Sequence, residues 1–269
     1  MKNMLNSKRI NFNWLFLSFW LFAMVILGFI LLPLLEMLFE QPIGLILKVA
    51  QMPDVTNSIM LSLEASFITA IIAAIFGTPL SYILARGQFP YKSLVEAIVN
   101  LPLAVPHTVA GIALLFVFGR TGPIGRITQS FGISFWGTIF GIIVGMLFVS
   151  LPYMVNSARL GFENVDIRIE KAARTLGATN SQVFFHISLP LAFRSILSGI
   201  VLTYARSIAE FGAVIILAYH PETAPVKIYE LFLTGGLKQS SAAAVLLLIV
   251  TISTFILFRY LTNFNKSRT

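Results

Sequence analysis

Long apolar runs, interrupted by short clusters of polar, proline and glycine positions, set the rhythm of this chain. The pattern predicts six spans, at roughly 14–35, 58–85, 94–119, 135–155, 192–219 and 240–262. Each is long enough for an α-helix to cross a hydrocarbon core about 30 Å thick. Segments such as 120–126 and 219–225 separate the spans. A backbone surrounded by lipid must satisfy its own hydrogen bonds, so the spans are read as helices. The expected fold class is all-α, a polytopic membrane helix bundle with six transmembrane helices. An N-terminal segment with the first span (1–57) precedes a core of five spans (58–269). Residues 156–190 break the rhythm, being too polar to cross and too regularly patterned for a slack loop. Within them, short helices are expected at about 163–190.

Composition agrees with the pattern. The chain is 57% hydrophobic and 11% charged, with a mean hydropathy of +0.86, whereas soluble domains carry about 25% charge. A net charge of +8 would suggest nucleic acid in a soluble protein. In a membrane protein it follows from Lys and Arg gathering in cytoplasmic loops, and no nucleic-acid partner is expected. The absence of cysteine excludes disulfides and thiol chemistry. Lys2, Lys8 and Arg9 precede an apolar run too long for a cleaved signal and lacking a small-residue cleavage site, so the first span is read as retained. With the N-terminus inside, the inner segments also hold Arg86, Lys92, Arg159, Arg168, Lys171, Arg174, Arg194, Arg259, Lys266 and Arg268. The outer segments hold Lys48, Arg120, Arg126, Lys227 and Lys238, and a split of thirteen to five places both termini in the cytoplasm.

The 156–190 segment reads as two short helices around a sharp corner. Asp166 caps the first, Ala172 and Ala173 favour it, and Gly177 ends it in the left-handed region. Thr179 to Gln182 has capping-box spacing for the second helix, and Pro190 suits the first turn of the following span. A plain helical connector would satisfy this much. Val183, Phe184, Phe185 and Ile187, however, form an apolar group that an exposed loop presents only to something that covers it.

Inside the membrane, Thr203, Arg206, Ser207 and Glu210 recur at i, i+3, i+4 and i+7, on one helical face. Ionised side chains at mid-bilayer cost about 2.5–3.5 kcal/mol each on insertion scales, so Arg206 and Glu210 are expected to neutralise one another. Two readings stay open: a pair fixing helix packing, or the lining of a pathway at a subunit interface. Pro102 and Pro106 are expected to kink the third span beside a cavity. His107 reads as a satisfied structural histidine, with a proton relay as the alternative, and Glu64 as a headgroup-level residue. The three histidines have no metal-ligand spacing. No Gly-x-x-x-x-Gly-Lys-Ser/Thr loop is present to cradle nucleotide phosphates.

Ala172-Ala173, Gly177 four residues on, and Ile187 to Pro190 after a nine-residue gap resemble the EAA signature of ABC importer permeases. The signature's leading glutamate falls on Lys171, with Glu170 one residue earlier. The resemblance implies a type I permease fold. It also implies that Glu170, Lys171, Ala172, Ala173, Arg174, Gly177, Ile187, Leu189 and Pro190 couple the chain to a separate ATPase. Val105 to Leu115, Ala205 to Val214 and Phe76 to Arg86 are similar to the molybdate/tungstate branch, with sulfate permeases as near relatives. That branch implies a homodimer in the cell (inner) membrane, two ATPase subunits and an external oxyanion-binding protein. ATP and Mg would then bind to the ATPase, leaving this chain without a cofactor or catalytic role. The rivals are a gradient-driven transporter using Arg206, Glu210 and His107 as a relay, and a membrane enzyme, for which no converging nucleophile and base are seen.

Overall fold

The computed structural model describes residues 14–264. Lys2, Lys8, Arg9, Lys266 and Arg268, used above for orientation, lie outside the described residues, as does the side chain of Arg259. Every described element is helical. In chain order these are α1 (Trp14–Glu40), α2 (Ile43–Ala50), α3 (Pro53–Arg86), α4 (Lys92–Ala104), α5 (His107–Phe118), α6 (Pro123–Gln129) and α7 (Ile139–Glu163). They continue with α8 (Ile167–Thr175), α9 (Asn180–Val183), a π turn (Phe184–Ser188), α10 (Leu189–Ile208), α11 (Gly212–Leu217) and α12 (Ala224–Phe264).

α3, α7 and α10 pack against one another as the centre of the fold. Lipid is as apolar as leucine, so helices in it associate through small residues that admit close approach and through interhelical hydrogen bonds. α3 buries Ser62, Ser66, Ala70, Ala73, Gly77 and Ser81 at helical spacing. α10 buries Ala192, Gly199, Thr203 and Ser207. The fit is close: a Cβ on Gly161 of α7 would lie 2.4 Å from the Ser195 Cβ. Around this centre, Met154, Ala158, Phe162 and Val183 are buried toward one end, and Ile142, Met146 and Val214 toward the other. α1 has no buried residue and touches α12.

Five helices are long and apolar enough to span a membrane, or six if the bent pair α4–α5 counts as one span. The first, second and fourth predicted spans are single helices that run past the C-terminal ends of the apolar runs, and the fourth begins four residues later, at Ile139. The third is broken rather than kinked, with α4 and α5 meeting at 114°. Proline pushes the residue before it out of the helical region, and Val105, before Pro106, is extended at φ −82°, ψ 130°. Pro102, by contrast, sits buried within α4.

The predicted fifth span, 192–219, is corrected at both ends. One helix runs from Asn180 through the π turn to Ile208, and α11 is a separate piece beyond a break at 209–211. Pro190 therefore opens no new helix but lies within a continuous one. A proline there lacks an N–H and crowds the carbonyl four residues back. The widened turn just before it, in which the Leu189 N–H donates to Phe184 O, relieves that conflict. The sixth span belongs to α12, which breaks at Gly236 with φ 75° and ψ −175°.

Candidate functional site

Two polar constructions stand out, one at the corner between α8 and α9 and one at the helix breaks. At the corner, Asp166 accepts a hydrogen bond from the Arg168 N–H at 2.9 Å, capping α8. Gly177 turns the chain at φ +90°. Thr179 and Gln182 then close both arms of a capping box. Lys171, Ala172, Arg174, Gly177 and Pro190 are exposed, and Ala173, Ile187 and Leu189 are half-buried. Leu176 stands 89% exposed at the tip and Phe185 60%. Ala173, Leu176, Gly177, Ala178, Gln182 and His186 line an open cleft of about 450 Å³.

Two expectations for this corner change. Of the apolar group thought to await a partner, Val183 is fully buried within the chain. Phe184 packs on Tyr82 at 4.9 Å between ring centroids, so Phe185, joined by Leu176, forms the open apolar surface. Glu170, grouped from the sequence with the docking residues, is fully buried. Its Oε1 accepts from Arg86 Nε at 2.9 Å and from Ser188 Oγ at 2.8 Å. Its Oε2 lies 3.5 Å from Arg174 Nη2.

At the breaks, Arg206 Nη2 donates to Glu210 Oε2 at 2.9 Å, as the sequence predicted. Thr203, Arg206 and Ser207 share a face of α10, but Glu210 lies past the helix end. There it caps α11, its Oε1 accepting the Ala213 N–H at 2.8 Å. His107 stands at the start of α5 with Nδ1 3.1 Å from Glu210 Oε2. Its two ring nitrogens lie 2.8 and 3.0 Å from Arg206 Nη2. Pro106 supplies the extended residue before α5 and accepts the Ala110 N–H at 2.9 Å. The two broken spans thus share one junction, closed by glycine: a Cβ on Gly212 would fall 2.7 Å from the His107 Cβ. Glu210 is fully buried, whereas the side chains of Arg206 and His107 are 19% and 44% exposed. Ser207 Oγ donates to Ser150 Oγ on α7 at 3.0 Å. The buried Thr203 hydroxyl has no hydrogen-bond partner among the described residues.

A third polar contact was missed from the sequence. Between α4 and α7, Arg159 Nη1 meets Glu96 Oε1 at 2.9 Å, and Asn156 Nδ2 donates to Asn100 Oδ1 at 2.6 Å. Arg159 Nε is 3.4 Å from Glu163, an ion-pair distance without hydrogen-bond alignment. The spacing of Glu96 and Asn100, four residues apart on one helix, was the available signal.

Residues 77–267 match the family described as the binding-protein-dependent transport system inner membrane component. The chain belongs to this family of ABC importer permeases. It is a multi-pass transport subunit, not an enzyme, and a permease of this kind works with an ATPase and a substrate-binding protein. The molybdate/tungstate transport system permease protein of Thermococcus kodakarensis is 40% identical over 238 residues, covering 88% of this permease and 91% of the relative. That of Methanocaldococcus jannaschii is 42% identical over 239 residues, covering 88% and 93%. The molybdenum transport system permease of Escherichia coli is 39% identical over 191 residues, covering 69% and 83%. Among solved structures, a bacterial ABC transporter that imports alginate superposes with a TM-score of 0.75 at 17% identity, covering 93% of this permease and 95% of that chain. An inward-facing methionine ABC transporter gives 0.61 at 16% identity, covering 78% and 93%. At such identities the likeness is one of fold, and that fold is the type I importer permease.

Proposed function

We propose that this permease imports molybdate or tungstate, as a homodimer with the pathway between its two copies. The observation carrying the substrate is the identity of about 40%, over nearly nine-tenths of both chains, to permeases named for those anions. Sulfate is the alternative within the family. An external binding protein delivers the oxyanion, and two ATPase subunits bind ATP and Mg beneath the dimer. The permease itself holds no cofactor. Its home is the cell (inner) membrane, with both termini in the cytoplasm. Segment 1–57 carries the first span ahead of the 58–269 core; its α1 has no buried residue, whereas α2 packs on α12 with Val49 fully buried.

The exposed surface of Lys171, Ala172, Ala173, Arg174 and Gly177, backed by Ile187, Leu189 and Pro190, docks the ATPase. Closure of the ATPase dimer on ATP draws these corners together and reverses the gate. The pathway reading is supported by the junction of the breaks. A partly exposed Arg206 at membrane depth is costly against lipid, so charged groups there face a partner or a water-filled cavity. A surface bearing Arg206, His107 and Pro106 therefore belongs at the copy–copy interface rather than in the bilayer, with Pro102 buried behind it in α4. Thr203, Ser207 and Glu210 lie behind it and fix the packing.

The deciding experiment is ATP hydrolysis by the permease purified with its ATPase in lipid, adding binding protein loaded with molybdate, tungstate or sulfate in turn. Stimulation by the first two and not by sulfate is expected. Stimulation by sulfate alone overturns the substrate assignment, and failure of the ATPase to co-purify overturns the docking assignment.

A further inference from the structure

We infer that Glu170 is a positioning residue that locks the docking helix α8 to two membrane helices at once, so that displacement of α8 reaches α3 and α10 together. This rests on the reading of α8 as the ATPase-docking helix. A fully buried carboxylate persists only where hydrogen-bonded and charged partners replace water. Here each partner comes from a different element. Arg86, at 2.9 Å, is the last residue of α3. Ser188, at 2.8 Å, closes the π turn that leads into α10. Arg174, at 3.5 Å, lies one turn on within α8 itself.

Arg86 holds α8 at a second point, its Nη2 donating to Val165 O at 2.7 Å, just before the Asp166 cap. The same arginine thus grips the entry to α8 and its first turn. Hydrogen bonds from fixed forks are directional and resist sliding, unlike the neighbouring ring contacts of Tyr82 with Phe162 and Phe184. One residue along a helix turns the side chain by about 100°. Lys171 and Ala172 accordingly stay on the exposed face while Glu170 points inward. Neutralising Glu170 therefore removes no docking side chain, and of these only Arg174 loses an ion pair, the one at 3.5 Å.

The chain's lack of cysteine permits the test directly. Spin labels at Arg168→Cys on α8, or at Gln88→Cys just past α3, report distances between the two copies in the complex with the ATPase, with and without ATP. In the otherwise unsubstituted permease both distances respond to ATP. In Glu170→Gln the ATPase still co-purifies and the α8 distance still responds, but the response beyond α3 is lost. Anion moved per ATP hydrolysed falls about fivefold, the lower range of a coupling free energy. Arg86→Gln, which cuts the α3 arm and keeps the Glu170–Ser188 bond, gives the same loss beyond α3 and decides the matter if Glu170→Gln does not insert. Distances that move together in these variants, with unchanged transport per ATP, overturn the inference. An ATPase that does not bind the unsubstituted permease overturns the docking reading and takes this inference with it.

Discussion

Glu170 and Glu210 are both fully buried, each beside an arginine and each near a helix end, yet they are supported differently. Glu210 takes its arginine from four residues upstream and its other contacts from His107 and the Ala213 N–H, all at the depth where the spans break. Glu170 takes its partners from α3 and the π turn, and its own helix adds Arg174, whose side chain is 38% exposed. Removing a partner at the corner lets water reach the remaining charges. Removing one at the break leaves a charge unpaired between two broken spans. The same chemistry makes a closed structural knot in one place and an articulated joint in the other.

That contrast can be broken most sharply by truncating both carboxylates. Glu210→Ala strands Arg206 and uncaps α11; losing one partner of a buried pair costs about 3–5 kcal/mol. A large drop in thermal midpoint and in membrane yield is expected. Glu170→Ala should cost about 1–3 kcal/mol, the range for an unsatisfied buried polar group, with insertion retained. Equal losses in a thermal-shift series would show that the two sites are not different in kind.

Gly212→Val probes the knot by volume. With a Cβ 2.7 Å from that of His107, the added side chain must push α5 and α11 apart. Overpacking of this sort costs about 1–3 kcal/mol, which melting in lipid would register, together with reduced uptake. Gly177→Val sharpens the joint instead. Its φ of +90° makes any side chain strained by about 1–2 kcal/mol, a local cost at an exposed tip. Insertion should survive while ATP hydrolysis becomes uncoupled from uptake. Normal uptake by that variant would remove the corner from the coupling route. The smallest effect belongs to Ser207→Ala, which deletes one interhelical hydrogen bond worth about 0.6 kcal/mol in membranes. A shift larger than Gly212→Val produces would mean that the α7–α10 seam, and not the junction of breaks, governs stability.

The legibility of these regions tracks the range of their contacts. Asp166, Gly177 and the Thr179–Gln182 box could be read from sequence because caps and turns are settled within a few residues. The Arg206–Glu210 pair was legible for the same reason. The junction of Arg206 and Glu210 with His107 joins residues about a hundred positions apart, and no local pattern announces it. Likewise, Glu170 looked like part of a docking surface because Arg86 and Ser188, which draw it inward, lie on other helices. The six apolar runs correspond to the five long apolar helices and the bent α4–α5 pair. Hydropathy could not show that α5 and α11 are separate half-helices, because backbone direction changes without any change in side-chain polarity. Pro106 carried a signal for one break. For the stop at Ile208 the composition offered none, since Ala209, Glu210 and Phe211 are all compatible with a helix.

The π turn before α10 fixes an angle as well as relieving Pro190. It holds one residue more than an α-helical turn would, so residues 184–188 act as a phase shift of about 100° between the helical turns on either side. The compass heading of the Thr179 corner, relative to the Arg206 and Ser207 face 27 and 28 residues later, depends on that single extra residue. Deleting it would swing the α8 corner around the axis of α10 while leaving every helix intact. Chain length over these five positions is thus itself a specification: it states the azimuth at which the corner meets whatever lies beneath the membrane.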